Sequence, residues 1–343
     1  MTLSDIVRED LTWWLQNIQR FPSPVHRDHP QIVIYTDASL EGWGAVRDSQ
    51  RTGGMWSDKE SSKHINELEL LAVHFGLKAL CNDVFDKSIK VMTDNSTAVA
   101  CINNKGSTKQ NCNDIARNIW LWCLSKNIFI IAAHIPGREN NIADEESRKD
   151  RSFSEGSLND CIFQEIEDMV GPFHIDMFAS RVNAKKKTYV AWKPDPEAWA
   201  IDAFSCEWKL EGIYCFPPFI LISRVLKKVE AEKTTVTLIA PLWRYQVWFP
   251  QLMRMLIQYP ILLPERKDLV VHPKTKLSSQ SVKLRLMCCV ISGNISKRKV
   301  FQEEREKSLL SLGGKTPRKL IPPTSNNGWH FVLKGTAIPW IQM

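Results

Sequence analysis

Ile32-Val33-Ile34-Tyr35-Thr36-Asp37-Ala38-Ser39 decides how the chain is read, because an apolar run there ends on an acid. Such a run reads as a buried strand. An acid at the carboxyl end of a strand in an α/β sheet lies where ligands bind. The arrangement recurs at Ile89-Lys90-Val91-Met92-Thr93, which is followed by Asp94. Two more acids sit on helical patterns. Glu69 opens Glu69-Leu70-Leu71-Ala72, where Leu70, Val73, Leu77 and Leu80 make the apolar stripe of a helix lying on a sheet. Asp144 closes Asn140-Asn141-Ile142-Ala143-Asp144. Taken singly, each acid reads as a surface charge or a helix cap. Gathered together, four carboxylates cannot all stay ionised without cations between them. A pair of hard divalent cations resolves that repulsion and equips a site for in-line phosphoryl transfer.

The order of short motifs carries more than any one of them. Thr36-Asp37-Ala38-Ser39 and Gly42-Trp43-Gly44-Ala45 come first, then His64-Ile65-Asn66 before Glu69, Thr93-Asp94-Asn95-Ser96, His134-Ile135-Pro136-Gly137, and Asn140 to Asp144 with Ser147-Arg148. With these, residues 31–149 resemble a type 1 ribonuclease H domain of retroelement polyproteins, of the long-terminal-repeat and tyrosine-recombinase types. The resemblance implies an α/β fold, a ribonuclease H-like mixed sheet with flanking helices. It also implies hydrolysis of the RNA strand of RNA–DNA hybrids with two Mg2+ or Mn2+ ions, roughly 4 Å apart as in two-metal sites generally. Asp37 would bridge both ions, Asp144 would help hold the ion that activates water, and Glu69 and Asp94 would hold the ion at the leaving oxygen. His134, ten residues before Asp144, matches a histidine that aids proton transfer or product release. It reads equally as a strand-end histidine bonded to backbone. Asn66 and Asn95 are expected at the nucleic-acid backbone, and Asn95 equally as the cap of the following helix. Glu67 points about 200° from Glu69 on a helix and is expected to be solvated.

Beyond this stretch the chain reads in four further pieces. Residues 1–30 form a short helix and a tether, with Leu3, Val7, Leu11, Trp14 and Ile18 at helical spacing before Pro22, Pro24 and Pro30. Residues 151–172 read as a linker with an acidic amphipathic helix. Residues 173–300 alternate strand and helix, which argues a second α/β domain. Helix is expected over Leu221–Val229 and Trp243–Ile257. Residues 301–343 read as a basic, partly disordered tail.

Asp176-Met177-Phe178-Ala179-Ser180, Asn183-Ala184-Lys185 and Phe216-Pro217-Pro218-Phe219 resemble phage-type DNA N6-adenine methyltransferases. The resemblance implies that Asp176 meets a methyl donor and that Phe219 stacks on a flipped base across Pro217 and Pro218. Phe216 stands where that family has an Asn or Asp that accepts a hydrogen bond, so the methyltransferase-like half is expected to be degenerate and S-adenosylmethionine is not expected as a cofactor. An upstream reverse transcriptase is the partner such a polyprotein implies. Its paired-aspartate motif is not in the sequence, so a partial polyprotein, a degenerate copy and a separate remnant all stay open.

Composition agrees with a nucleic-acid partner. The 343 residues carry a net charge of +7. The charge is uneven: residues 1–150 hold 17 Lys+Arg against 20 Asp+Glu, and residues 151–343 hold 28 against 18. The acidic nuclease-like half is therefore expected to need the basic half for affinity. Nine cysteines without zinc-ligand spacing indicate a reducing, intracellular setting, with Cys288-Cys289 as core. No apolar run approaches a membrane span. Alternatives to a hybrid-cleaving nuclease are a non-catalytic nucleic-acid-binding remnant and a DNA adenine methyltransferase.

Overall fold

The computed structural model describes residues 4–18, 29–149, 156–271, 284–311 and 330–331. The chain divides into two compact units, Met1–Lys149 and Asp150–Met343. The first begins with α1 (Asp5–Asn17), which leaves Leu11, Trp14, Leu15 and Ile18 exposed. Pro22 and Pro24 of the tether lie outside the described residues.

Strands β1 (Ile32–Ala38), β2 (Gly42–Arg47) and β3 (Gln50–Met55) form an antiparallel meander. A short α2 (Asp58–Ser61), closed by a Ser57/Glu60 capping box, leads into α3 (Ile65–Leu80). Then follow β4 (Ser88–Thr93), α4 (Ser96–Asn103), α5 (Gln110–Ser125), β5 (Phe129–His134) and α6 (Asn141–Arg148). The sheet order is β3-β2-β1-β4-β5, with β1, β4 and β5 parallel. This is the mixed sheet with flanking helices that was expected. In the parallel pair β1 and β4, Asp37 is the last residue but one of β1 and Asp94 directly follows β4, so the two acids stand at neighbouring strand ends.

Glycines set how closely the helices approach. A Cβ on Gly76 of α3 would meet Ala45 Cβ at 2.9 Å, so the helix can lie directly on β1 and β2. A Cβ on Gly44 would run into the Ala143 carbonyl and stand 2.7 Å from Ser147 N, so α6 lies on β2 backbone to backbone. Successive strand residues face opposite ways. Gly44 and Ala45 therefore put α6 and α3 on opposite faces. Glu67 departs from expectation. It is buried, accepting from Asn111 Nδ2 at 3.2 Å and paired with Lys63 at 3.4 Å, because α5 packs beside α3 and covers the face that a lone helix would leave in water.

The second unit holds β6 (Ser157–Leu158), α7 (Asp160–Val170), β7 (Ile175–Asp176), β8 (Val190–Ala191), β9 (Ala200–Ile201) and β10 (Ile213–Cys215). It continues with α8 (Ile222–Glu232), β11 (Thr235–Pro241), α9 (Phe249–Met255), β12 (Ile261–Leu262), β13 (Val270–Val271), β14 (Leu286–Ser292), α10 (Ile295–Ser311) and β15 (His330–Phe331). Its main sheet runs β15-β12-β14-β11-β10-β7, parallel from β7 through β11 and antiparallel beyond.

Three details differ from the sequence reading. The amphipathic helix expected within 151–172 is α7, and it packs into the second unit's core: Ile162, Phe163 and Ile166 are buried with Tyr214, Ile239 and Leu286. The helix expected from Trp243 is shortened to Phe249–Met255, with Pro250 in its first turn, where a missing N–H does no harm. Helix α10 crosses residue 300 and buries Phe301, so the tail begins later than expected. The tail's Lys315, Arg318 and Lys319 lie outside the described residues. Cys288 and Cys289 are buried in β14.

Candidate metal centre

Strand ends and one helix bring three of the four acids together. Asp37 comes from β1, Asp94 follows β4, and Glu69 sits in the second turn of α3. Each offers a carboxylate oxygen, and these oxygens lie within 4.8 Å of one another. Glu69 is anchored by Thr93 Oγ1 at 3.4 Å, and Asp37 Oδ2 accepts from Ser147 Oγ at 2.7 Å. Gly137 lies against Asp94: a Cβ there would stand 2.9 Å from Asp94 Oδ2.

Asp144 is on α6 and takes a different partner. Its Oδ1 accepts from Arg148 Nε at 2.6 Å, one turn along the same helix. It lies outside the 4.8 Å group, yet its charge reaches Asp37.

Burial and crowding show in the acidities. Burial, the Asp94 charge and the Asp144 charge push Asp37 up to about 6 against the Ser147 hydrogen bond and Arg148. Burial pushes Glu69 up to about 8, with Asp37 and Asp94 adding to it. Carboxylates so placed favour either a proton or a cation. An Mg2+ ion binds oxygens at about 2.1 Å, so two ligands of one ion stand at most about 4.2 Å apart, a span comparable with the 4.8 Å within which these oxygens lie. The donor set, all hard oxygen, fits such an ion.

The remaining expected residues fall around this cluster. Asn95 caps α4 by accepting from Ala98 N at 2.9 Å, and its Nδ2 donates to Asn66 Oδ1 at 2.9 Å. The two asparagines thus tie the starts of α3 and α4 together beside Glu69 and Asp94. His134 is exposed at the end of β5, in register with Thr93.

Several supporting residues had no role in the sequence reading. Ser147 holds Asp37. Ser39 Oγ donates to the Ser147 carbonyl at 2.8 Å, and buried Asn140 donates to the Thr36 carbonyl at 3.0 Å, so α6 is pinned to β1. Ser147 follows Asp144 by three residues, one helical turn, and that spacing was the available signal.

A second candidate site lies in the other unit. Asp176, Phe178, Asn183, Lys185, Tyr214 and Phe216 line an open pocket at the carboxyl ends of β7 and β10. Buried Asp176 accepts from Phe178 N at 3.3 Å and Lys185 N at 3.1 Å, and burial raises its pKa to about 6 despite them. The Tyr214 hydroxyl is buried without a hydrogen-bond partner among the described residues. Pro217 is buried, Pro218 is exposed, and Phe219 packs edge-on against Trp243 at 5.2 Å.

No protein-family model matches the chain, and no curated protein matches it. Solved structures do. An RNase H1 from the halophilic archaeon Halobacterium salinarum NRC-1 is similar over 34% of this chain and 96% of its own, at 17% identity and a TM-score of 0.28. LC11-RNase H1 in complex with an RNA/DNA hybrid is similar over 34% and 92%, at 19% identity and a TM-score of 0.28. A foamy viral protease-reverse transcriptase in complex with an RNA/DNA hybrid is similar over 38% of this chain and 23% of its own, at 17% identity and a TM-score of 0.28.

Proposed function

We propose that the first unit is a divalent-metal-dependent nuclease that hydrolyses the RNA strand of RNA–DNA hybrids. The observation that carries this reading is the convergence of Asp37, Glu69 and Asp94 on one point, with Asp144 in reach of the same field. Mg2+ or Mn2+ bound there would supply an activated water and neutralise charge on the leaving oxygen. Asp37 is central to the set and would be shared between two ions. Glu69 and Asp94 would serve the leaving-oxygen side and Asp144 the water side. His134 is exposed near the rim, free to carry a proton or to help product depart. Asn66 and Asn95, locked to each other, present amide groups that suit a sugar–phosphate backbone, where the 2′-hydroxyl marks RNA. The motif order fits a retroelement origin, with a reverse transcriptase as partner.

The test is cleavage of a labelled RNA–DNA hybrid in Mg2+ or Mn2+, beside single-stranded RNA and duplex DNA. Hybrid-selective cutting that Asp94→Asn lowers by at least ~100-fold supports the reading. No cutting by folded protein with either metal overturns it.

A second reading rests on the order of the Asp176, Asn183 and Phe216 motifs, since the pocket they line is only about the size of a water and would have to open to admit a methyl donor or a base. Phe216 cannot accept a hydrogen bond, which favours binding without transfer. Titration with S-adenosylmethionine in a calorimeter decides it: heat of binding supports a donor site, and none leaves a docking or structural unit.

A further inference from the structure

Arg148 holds a singular place beside the acidic cluster. Its Nε donates to Asp144 Oδ1 at 2.6 Å, and its guanidinium also feels Asp37 and Asp94. Its charge pulls the Asp37 pKa down, against the Asp94 and Asp144 charges that push it up. Three acids already share one point, and the fourth is the one that Arg148 holds. Asp144 and Arg148 are both partly exposed, and they sit one turn apart near the end of α6. The pair can therefore open by side-chain rotation without moving the helix, which Ser39, Asn140 and Gly44 keep pinned.

We infer that Arg148 is a positioning residue, an internal counter-ion that keeps Asp144 from a metal until that ion displaces it. The inference rests on the metal-dependent reading of the first unit. It divides the cluster into two sites of unequal readiness. The Asp37–Glu69–Asp94 group takes an ion directly. The Asp144 side takes one only by breaking an ion pair. Once released, the guanidinium stands beside a site that must admit a phosphodiester, and a planar fork of donors suits a phosphate oxygen pair.

The experiment is an Mn2+ titration of the full chain without nucleic acid, followed by electron paramagnetic resonance, for the parent, Arg148→Gln, Arg148→Lys and Asp144→Asn. The expected result is a stronger and a weaker Mn2+ site in the parent. Arg148→Gln tightens the weaker site by about two- to fivefold, the range of a partly exposed ion pair. Arg148→Lys, which keeps the charge and loses the fork, falls between, and Asp144→Asn loses the weaker site. A weaker site unchanged or loosened in Arg148→Gln overturns the inference while leaving the metal centre in place. No Mn2+ bound by any of the four, with circular dichroism showing them folded, overturns the metal-dependent reading and this inference with it.

Discussion

Glu69 shows what a single residue contributes and what it costs. Its carboxyl is buried beside Asp37 and Asp94, and its folded pKa is raised from the ordinary 4.5 to about 8. A raised acid is held protonated by the fold. Its contribution to stability is complete below the ordinary carboxylate range and is lost as pH rises through about 8. The metal-free protein should therefore weaken from mildly acid to mildly alkaline pH. Glu69→Gln, which stays neutral, should lose that dependence. In a chelator the variant should exceed the parent by about 1–3 kcal/mol near pH 8.5, with the gap closing toward pH 4. Urea denaturation across pH measures it, and a gap independent of pH would sink the electrostatic account. Mg2+ should restore the parent at alkaline pH, since an ion that binds only the folded state stabilises it.

Helix α6 makes the same point at the level of an element. It is only eight residues long and carries Asp144, Ser147 and Arg148, so its placement governs the candidate metal centre. Its seat depends on Gly44, where any side chain would meet the helix backbone. Gly44→Ala should destabilise the first unit by about 2–4 kcal/mol, because neither the strand nor the helix backbone can move aside cheaply. Cleavage should fall with it even at temperatures where the variant remains folded. Denaturation midpoints together with hybrid cleavage test this, and full activity in Gly44→Ala would show that α6 tolerates displacement. Helix α3 is seated by the same device at Gly76, so both helices that carry acids approach the sheet through a missing side chain.

The whole molecule divides its charge unevenly, 17 Lys+Arg against 20 Asp+Glu in residues 1–150 and 28 against 18 in the rest. The proposed nuclease unit, with its negative balance, would repel a polyanionic substrate until cations intervene. The full chain should therefore bind an RNA–DNA hybrid at least about tenfold more tightly than residues 1–149 alone at low salt, and the advantage should shrink as salt rises. Fluorescence anisotropy in Ca2+, with salt varied, measures both. Equal affinities would mean that the second unit does not grip nucleic acid. Among the described residues no helix is long and apolar enough to cross a membrane.

By itself the sequence determined the alternation of strands and helices in both units, the two strand ends that carry Asp37 and Asp94, and the helix that carries Glu69. These follow from local patterns: apolar runs that end on an acid, and one apolar stripe at helical spacing. Tertiary structure decided the rest, because it depends on contacts between residues far apart in the chain. Glu67 is buried only because α5 lies against α3, and no pattern around residue 67 reveals that neighbour. Helix α7 joins a core because Phe163 meets Tyr214, 51 residues along the chain, edge-on at 5.0 Å. The closest hydrogen bond to Asp37 comes from Ser147, 110 residues away, and Asp144 is partnered by Arg148 instead of joining the other three acids. Local sequence sets which groups a site can use; the packing of α6 against β1 and β2 sets which of them meet.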